Sequence, residues 1–250
     1  KIDAVAPLHP VYCTAKSLHA GWANSLALQE AGITFLTENP PRGEILRNAE
    51  GIATGIFLEE AMQLMEEKIP KPSLAMLELA LIKAQQQLGQ LGIGGVHDFD
   101  DISCFAALQS LHQQGNLKIR VHKGIPLEQL PYAVKLGIKS GFGDDMLRIG
   151  PVKVFMDGAL GPRTAAMLAP YNGEPQNLGS LFINSKELLG IGKNAARHGL
   201  NMAVHAIGDR ANREALNAFE QLRKFENENQ YPRLRHRMEH LQLLHPEDVK

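Results

Sequence analysis

The rhythm of apolar and polar positions changes near residue 73. Before it, short apolar runs are broken by turn residues. "PVYCTAKS" reads as a strand, and "GWANSLALQEAGI" reads as a helix closed by Gly32. "GEILR" and "GIFLE" flank a turn near Asn48–Gly51 and predict a β-hairpin. "IPKPS", residues 69–73, reads as a stiff linker. After it, helical and strand patterns alternate. A helix over 73–90 leads to the strand "GGVHDFD", a helix over 102–114 to "KIRVHKG", and a helix over 127–137 to "LRIGPVKVFMDG". A long loop follows, then a helix over 185–198, "NMAVHAIG", a helix over 209–224, "LRHRMEH", and a helix after His245. This alternation predicts an α/β fold with a parallel sheet of βαβ units. The expected division is an α+β segment over 1–72 and a βα array over 73–250. Doubly wound sheets and (β/α) barrels share the rhythm, so periodicity leaves both open.

Polar residues cluster where these strands end: His97 and Asp98, His122 and Lys123, Lys153 and Asp157, His205, Glu239 and His240. Lys153 stands inside the apolar run "VKVFM", and a buried lysine is rare unless it is paired or has a chemical task. Alternation puts Lys153, Phe155 and Asp157 on one strand face, His205 on a face with Ala203, and His236, Met238 and His240 on another. Lys153, His205 and His240 can then all point inward from three consecutive strands. Neutral imidazole is a common zinc ligand. A desolvated lysine can shed its proton and add carbon dioxide, which turns a cation into a carboxylate-like ligand. The bland readings are a snorkelling or salt-bridged lysine and hydrogen-bonded structural histidines. His236 lies deeper and is expected to pack in the core. Asp209 is expected to cap the helix after "AIG".

Composition narrows the function classes. Among 250 residues the net charge is −1, which gives no electrostatic footprint for nucleic acid or an anionic membrane. No apolar run reaches the length that spans a bilayer. The two cysteines, Cys13 and Cys104, lie outside any C-x-x-C spacing and fit a cytoplasmic, reducing compartment. "GIGG" at 92–95 precedes its strand, which excludes a nucleotide-loop reading.

Six stretches carry a resemblance: "PVYCTAKSLHAGWANSLALQEAGIT", "GIFLEEAM", "LGIGGVHDFD", "VKVFMDGALGPRTAAM", "HGLNMAVHAIGDRANREALNAFE" and "HRMEHLQLLHPEDV". Together they resemble the metal-dependent amidohydrolase superfamily, in its amidohydrolase-3, YtcJ-like branch. The resemblance implies a (β/α)8 TIM-type barrel, present here in part as strands 2 to 6, with residues 1–72 as an inserted α+β subdomain over the barrel mouth. It implies a hydrolase of non-peptide C–N bonds with one or two divalent metals, zinc first. Lys153 becomes the candidate carboxylated bridging ligand, and His205 and His240 the ligands from strands 5 and 6. His19, Trp22, Asp157, Arg163 and His97 become the substrate-side candidates.

The departures from the pattern also matter. The family carries a His-x-His pair on strand 1 and a catalytic aspartate on strand 8, and neither occurs here. No catalytic base is therefore assigned within this segment. Since the chain opens on lysine, an internal piece of a longer, active protein is expected, with the segment alone inactive. The expected partner is a small amide-type substrate, with no nucleic acid and no membrane, and a homo-oligomer is compatible with the sequence. Two other readings stand beside this one: a regulatory or binding protein that kept the scaffold without its chemistry, and a doubly wound protein that binds a small anion.

Overall fold

The computed structural model describes residues 2–249. They form two compact units, one of residues up to 71 together with 157–182, the other of 72–156 together with the described residues from 183 on. The loop that follows the Lys153 strand thus belongs to the first unit.

In the first unit, α1 (Ile2–Val5), β1 (Tyr12–Thr14), β2 (Ala20–Ala23), α2 (Ser25–Ala31), β3 (Gly43–Arg47), β4 (Ala53–Glu59) and α3 (Gln63–Glu66) follow one another. The strands make an antiparallel sheet in the order β1-β2-β4-β3. The predicted hairpin is β3–β4; Asn48 Oδ1 accepts from Glu50 N and Ile52 N, and Gly51 takes φ 78°. Ile45, Phe57, Ala61, Met62 and Met65 form its core. One expectation changes here. Ala20–Ala23 form a strand, with Ala20, Gly21 and Trp22 paired to β4 and Ala23 to β1, so the helix starts only at Ser25. Asn24 sets that boundary. Its backbone is extended, and its Oδ1 accepts from Ala27 N at 3.0 Å and Val11 N at 2.9 Å. Gly32 closes the helix at φ 69°, as its sequence position suggested.

The second unit runs α4 (Leu74–Gln90), β5 (Gly95–Asp98), α5 (Ile102–Gln113), β6 (Arg120–Pro126), α6 (Leu130–Lys135), β7 (Leu147–Phe155), α7 (Ser185–Arg197), β8 (Met202–Ala206), α8 (Asp209–Glu228) and β9 (Arg237–His240). All strand pairs are parallel, and the order is simply β5-β6-β7-β8-β9. A doubly wound sheet reverses its strand order at a switch point; this one never does, as in a (β/α) barrel. The sheet also curls. Five flat strands would hold their outer members about 19 Å apart. Here Arg237 of β9 donates to His97 Nδ1 of β5 at 3.1 Å, edge strand to edge strand. The fold is a curled parallel half-barrel with helices outside.

The helix-facing side of the sheet is apolar: Val152, Val154, Met156, Met202 and Val204 are fully buried. His236 lies in the core, as its depth suggested. Its Nε2 meets Glu226 Oε1 at 2.8 Å, and its Nδ1 accepts from Met202 N at 3.1 Å. Burial holds its pKa below the ordinary histidine value, although the Glu226 hydrogen bond opposes this. Asp209 is not the helix cap. Gly208 holds the cap position, and Asp209 opens the first turn with Oδ1 on Arg210 N.

Candidate metal centre

One residue of β7 decides which side chains face the inside of the curl. Between β6 and β7 the register passes from Lys123↔Ile149 to Ile125↔Val152. Two steps on β6 match three on β7, so Gly150–Pro151 contributes a bulge. Pro151 donates no ladder hydrogen bond, which suits that position. Before the bulge, Arg148 shares the inner face with His97 and His122. After it, the inner face takes Lys153 and Phe155, beside Ala203 and His205 of β8. Without the extra residue Lys153 would turn to the helices.

The β9 register corrects the simple alternation argument. Arg237 and Glu239 pair with Ala203 and His205, so these two line the inner face, while Met238 falls opposite with Val204. His240, paired with Ala206, should follow Met238 outward. It does not stay in the extended ladder. His240 takes φ 77° and Leu241 φ 48°, and the His240 ring lies edge-on to His205 with centroids 4.6 Å apart. Two imidazoles on one tetrahedral zinc hold their centroids about 5 Å apart, given Zn–N near 2.0 Å. The observed spacing falls near that value.

Lys153 reaches the same layer. Its residue sits one pleat below Phe155, whose register partner is His205. Its Nζ rises to 4.4 Å from the Phe155 centroid and 5.0 Å from that of Phe99. Phe155 lies 5.0 Å from the His205 ring. Lys153 is 8% exposed, and among the described residues its Nζ has no hydrogen-bond or salt-bridge partner. Burial pulls its pKa down to about 8, with Glu239 opposing and Arg237 assisting. Gly124 makes room for this arrangement, because a Cβ there would collide with the Phe99 ring. Gly124→Ala should therefore push Phe99 off Lys153 and cost about 1–3 kcal/mol of stability, read by urea denaturation. An unchanged midpoint would contradict the packing described.

Lys123 makes an instructive contrast. It is also buried, but its ammonium binds Asp98 Oδ1 and the Asp100 carbonyl on the helix side of the sheet. Cys104 Sγ joins Asp98 there at 3.5 Å. Asp98, Asp100 and Cys104 lie close enough together to suggest a cation site. The lysine already supplies the positive charge, and burial pushes the Cys104 thiol up to about 12. That cluster is an ion pair, and Lys153 is the buried lysine without one.

The other candidates have local roles. His97 accepts from Arg237 and stands 5.1 Å from the His122 ring; burial lowers the pKa of both histidines. They border an open cavity of about 280 Å³ with Arg120, Arg148, Asp144 and Asp145. His19, Trp22, Asp157 and Arg163 belong to the first unit. Trp22 is 40% exposed on β2. Asp157 is fully buried and accepts from Ala166 N at 3.0 Å. Arg163 pairs with Glu174. His19 binds Glu59, a residue absent from the sequence-based candidates.

A curled parallel sheet whose strand ends carry two adjoining histidines and an unpaired lysine invites comparison with known hydrolases. The sequence profile of the amidohydrolase family matches residues 1–250. The chain belongs to the amidohydrolase family. YtcJ of Bacillus subtilis, named as an amidohydrolase, is 33% identical over 88% of this chain and 42% of its own length. The N-substituted formamide deformylase of Arthrobacter pascens is 28% identical over 94% of this chain and 45% of its own. An uncharacterized metal-dependent hydrolase from Pyrococcus furiosus superposes with a TM-score of 0.72 at 27% identity, over 99% of this chain and 49% of that one. The chain spans less than half the length of each of these three. The amidohydrolase fold thus accounts for the half-barrel. The donor set suits a divalent ion: two neutral-capable imidazoles side by side, and an amine stripped of its water.

Proposed function

We propose that the protein containing this chain is a metal-dependent hydrolase of non-peptide C–N bonds, and that Lys153, His205 and His240 hold its metal. The observation that supports this reading is the His205–His240 ring pair, with an unpaired, aromatic-walled lysine on the neighbouring strand against the same Phe155 ring that adjoins His205. His205 and His240 each offer an imidazole nitrogen. With a pKa near 8, about a tenth of Lys153 is neutral at pH 7, enough to react with carbon dioxide. The nitrogen lone pair attacks the carbon, a proton leaves to solvent, and the resulting carbamate carries one negative charge. Phe99 and Phe155 shield it from water. Zinc is the first choice of ion for imidazole and carboxylate donors. A divalent ion, when bound, acidifies a water and polarises a scissile carbonyl.

The substrate side is read as His19, Trp22, Asp157, Arg163 and His97, and the substrate as a small amide. The Arthrobacter relative's name, an N-substituted formamide deformylase, favours N-substituted amides within that class. Both cysteines are free thiols, which suits a cytoplasmic setting, and no helix among the described residues is long and apolar enough to cross a membrane. The test is amine release from a panel of N-substituted amides by the full-length protein reconstituted with zinc or manganese. Metal-dependent release supports the proposal. A protein that binds metal and releases no amine from any of them would favour a regulatory role on the same scaffold.

A further inference from the structure

The helix side of the sheet holds a buried charge network that the metal centre does not use. It joins β8, α8 and the start of β9. The His236 and Glu226 side chains are each only 2% exposed. His236 Nε2 meets Glu226 Oε1 at 2.8 Å, and Met202 N donates to His236 Nδ1 at 3.1 Å. Arg223 donates to Glu226 Oε2 at 2.6 Å and, through its other terminal nitrogen, to the Leu234 carbonyl at 2.7 Å. Phe219 stacks on the imidazole, with centroids 5.9 Å apart. The β8–β9 ladder begins one residue later, at Ala203↔Arg237, and runs to Ala206↔His240. The His236 side chain thus takes the amide that precedes the ladder and ties β9 to β8 at its first rung.

These bonds fix the proton. A carboxylate only accepts, so Nε2 carries the hydrogen; a backbone N–H only donates, so Nδ1 carries the lone pair. The ring is neutral. Glu226 and Arg223 already balance each other, and they are the charged groups of α8 that act on it. A second proton can add only at Nδ1. There it would face the Met202 N–H, donor against donor, and leave an uncompensated positive charge in a buried site. Both costs fall when the start of β9 moves out to water.

We propose that His236 is an acid-sensitive latch: neutral, it pins the start of β9 to β8; protonated, it releases that start and loosens the strand that presents His240. Burial, opposed by the Glu226 hydrogen bond, keeps the latched ring below the ordinary histidine value of 6.5. The released ring returns to that value, so release takes up a proton. The latch therefore holds fully above it and weakens as the pH falls through it, by up to about tenfold for each further pH unit. It needs neither metal nor turnover.

Two readouts on the full-length protein test it. Nitrogen-15 NMR of histidine-labelled protein should show His236 as the Nε2–H tautomer at about pH 7.5, with a titration midpoint below about 6.5. Hydrogen–deuterium exchange, corrected for its intrinsic pH dependence, should show residues 237–240 losing about tenfold of their protection between about pH 7.5 and 5.5. His236→Asn keeps an acceptor for Met202 N and has no proton to gain, so most of that loss should disappear. The other histidines titrate alike in both proteins, and the difference between the two isolates His236. Arg223→Gln serves even where the first variant fails to fold. It leaves Glu226 free to balance the imidazolium, so the midpoint and the loss of protection should both move to higher pH. The Nδ1–H tautomer at pH 7.5 would overturn the latch, as would unchanged protection in the wild type. An equal loss in wild type and His236→Asn, or an unmoved midpoint in Arg223→Gln, would overturn it too.

Discussion

Replacing Lys153 with methionine should stabilise the metal-free protein while abolishing hydrolysis. The native ammonium is desolvated, and no carboxylate compensates it directly. A fall in pKa from 10.5 to about 8 corresponds to about 3 kcal/mol, at about 1.4 kcal/mol per tenfold change. The sign follows from proton counting. Between about pH 8 and 10.5 the unfolded lysine holds its proton and the folded one has lost it, so wild-type stability rises with pH through that window. Below it, the wild type bears the whole cost of a buried charge. Lys153→Met removes that cost, and methionine is close in shape, so its advantage at pH 7 should be up to about 3 kcal/mol and should fade as the pH approaches 10.5. Urea denaturation of metal-free samples at pH 7 and pH 10 measures both. A destabilised variant at pH 7 would mean that the ammonium has a partner. The gain in stability at the expense of chemistry is what a functional site predicts.

His205→Ala should be as damaging to activity as Lys153→Met, without the gain in stability. His205 is 3% exposed in a strand whose five residues are all buried, between the Phe155 and His240 rings. Loss of this imidazole removes one of the three proposed ligands, and amide hydrolysis should fall by roughly a thousandfold or more. Asparagine at 205 would keep much of the volume and should fall as far. Far-ultraviolet circular dichroism should stay unchanged in both, which separates lost chemistry from lost fold. Activity within tenfold of the wild type would remove His205 from the site.

The alternation of helix and strand patterns was plain in the sequence; the assignment of residues 157–182 to the first unit was not. Hydrophobic period is a local property, and βαβ units are built from local segments. The choice between barrel and open sheet was not local. It depended on strand order, which the family resemblance supplied and the monotonic β5-to-β9 order bears out. The residues of the candidate centre were legible as strand-end polar groups, but their directions were only partly so. Alternation gave Lys153 and His205 the right face. It gave His240 the right neighbour for the wrong reason, because the register puts Glu239 inward and a positive φ swings His240 back. Nor does alternation reveal the Gly150–Pro151 bulge, since a bulge exists only against a partner strand. Trp22 was read into a helix because "GWANSLAL" is rich in helix formers; pairing with Ile56 overrides that propensity. Glu59 was invisible as the partner of His19. Its partners His19 and Thr164 lie 40 and 105 positions away, and no spacing rule joins them.

The account stands on the claim that Lys153, His205 and His240 together hold a divalent ion. Elemental analysis tests it most directly, on the full-length protein and on a His205→Ala/His240→Ala variant purified in parallel. The account predicts at least one divalent ion per chain in the wild type, with zinc foremost, and the loss of at least one equivalent in the variant. Equal metal content in the two proteins would contradict it.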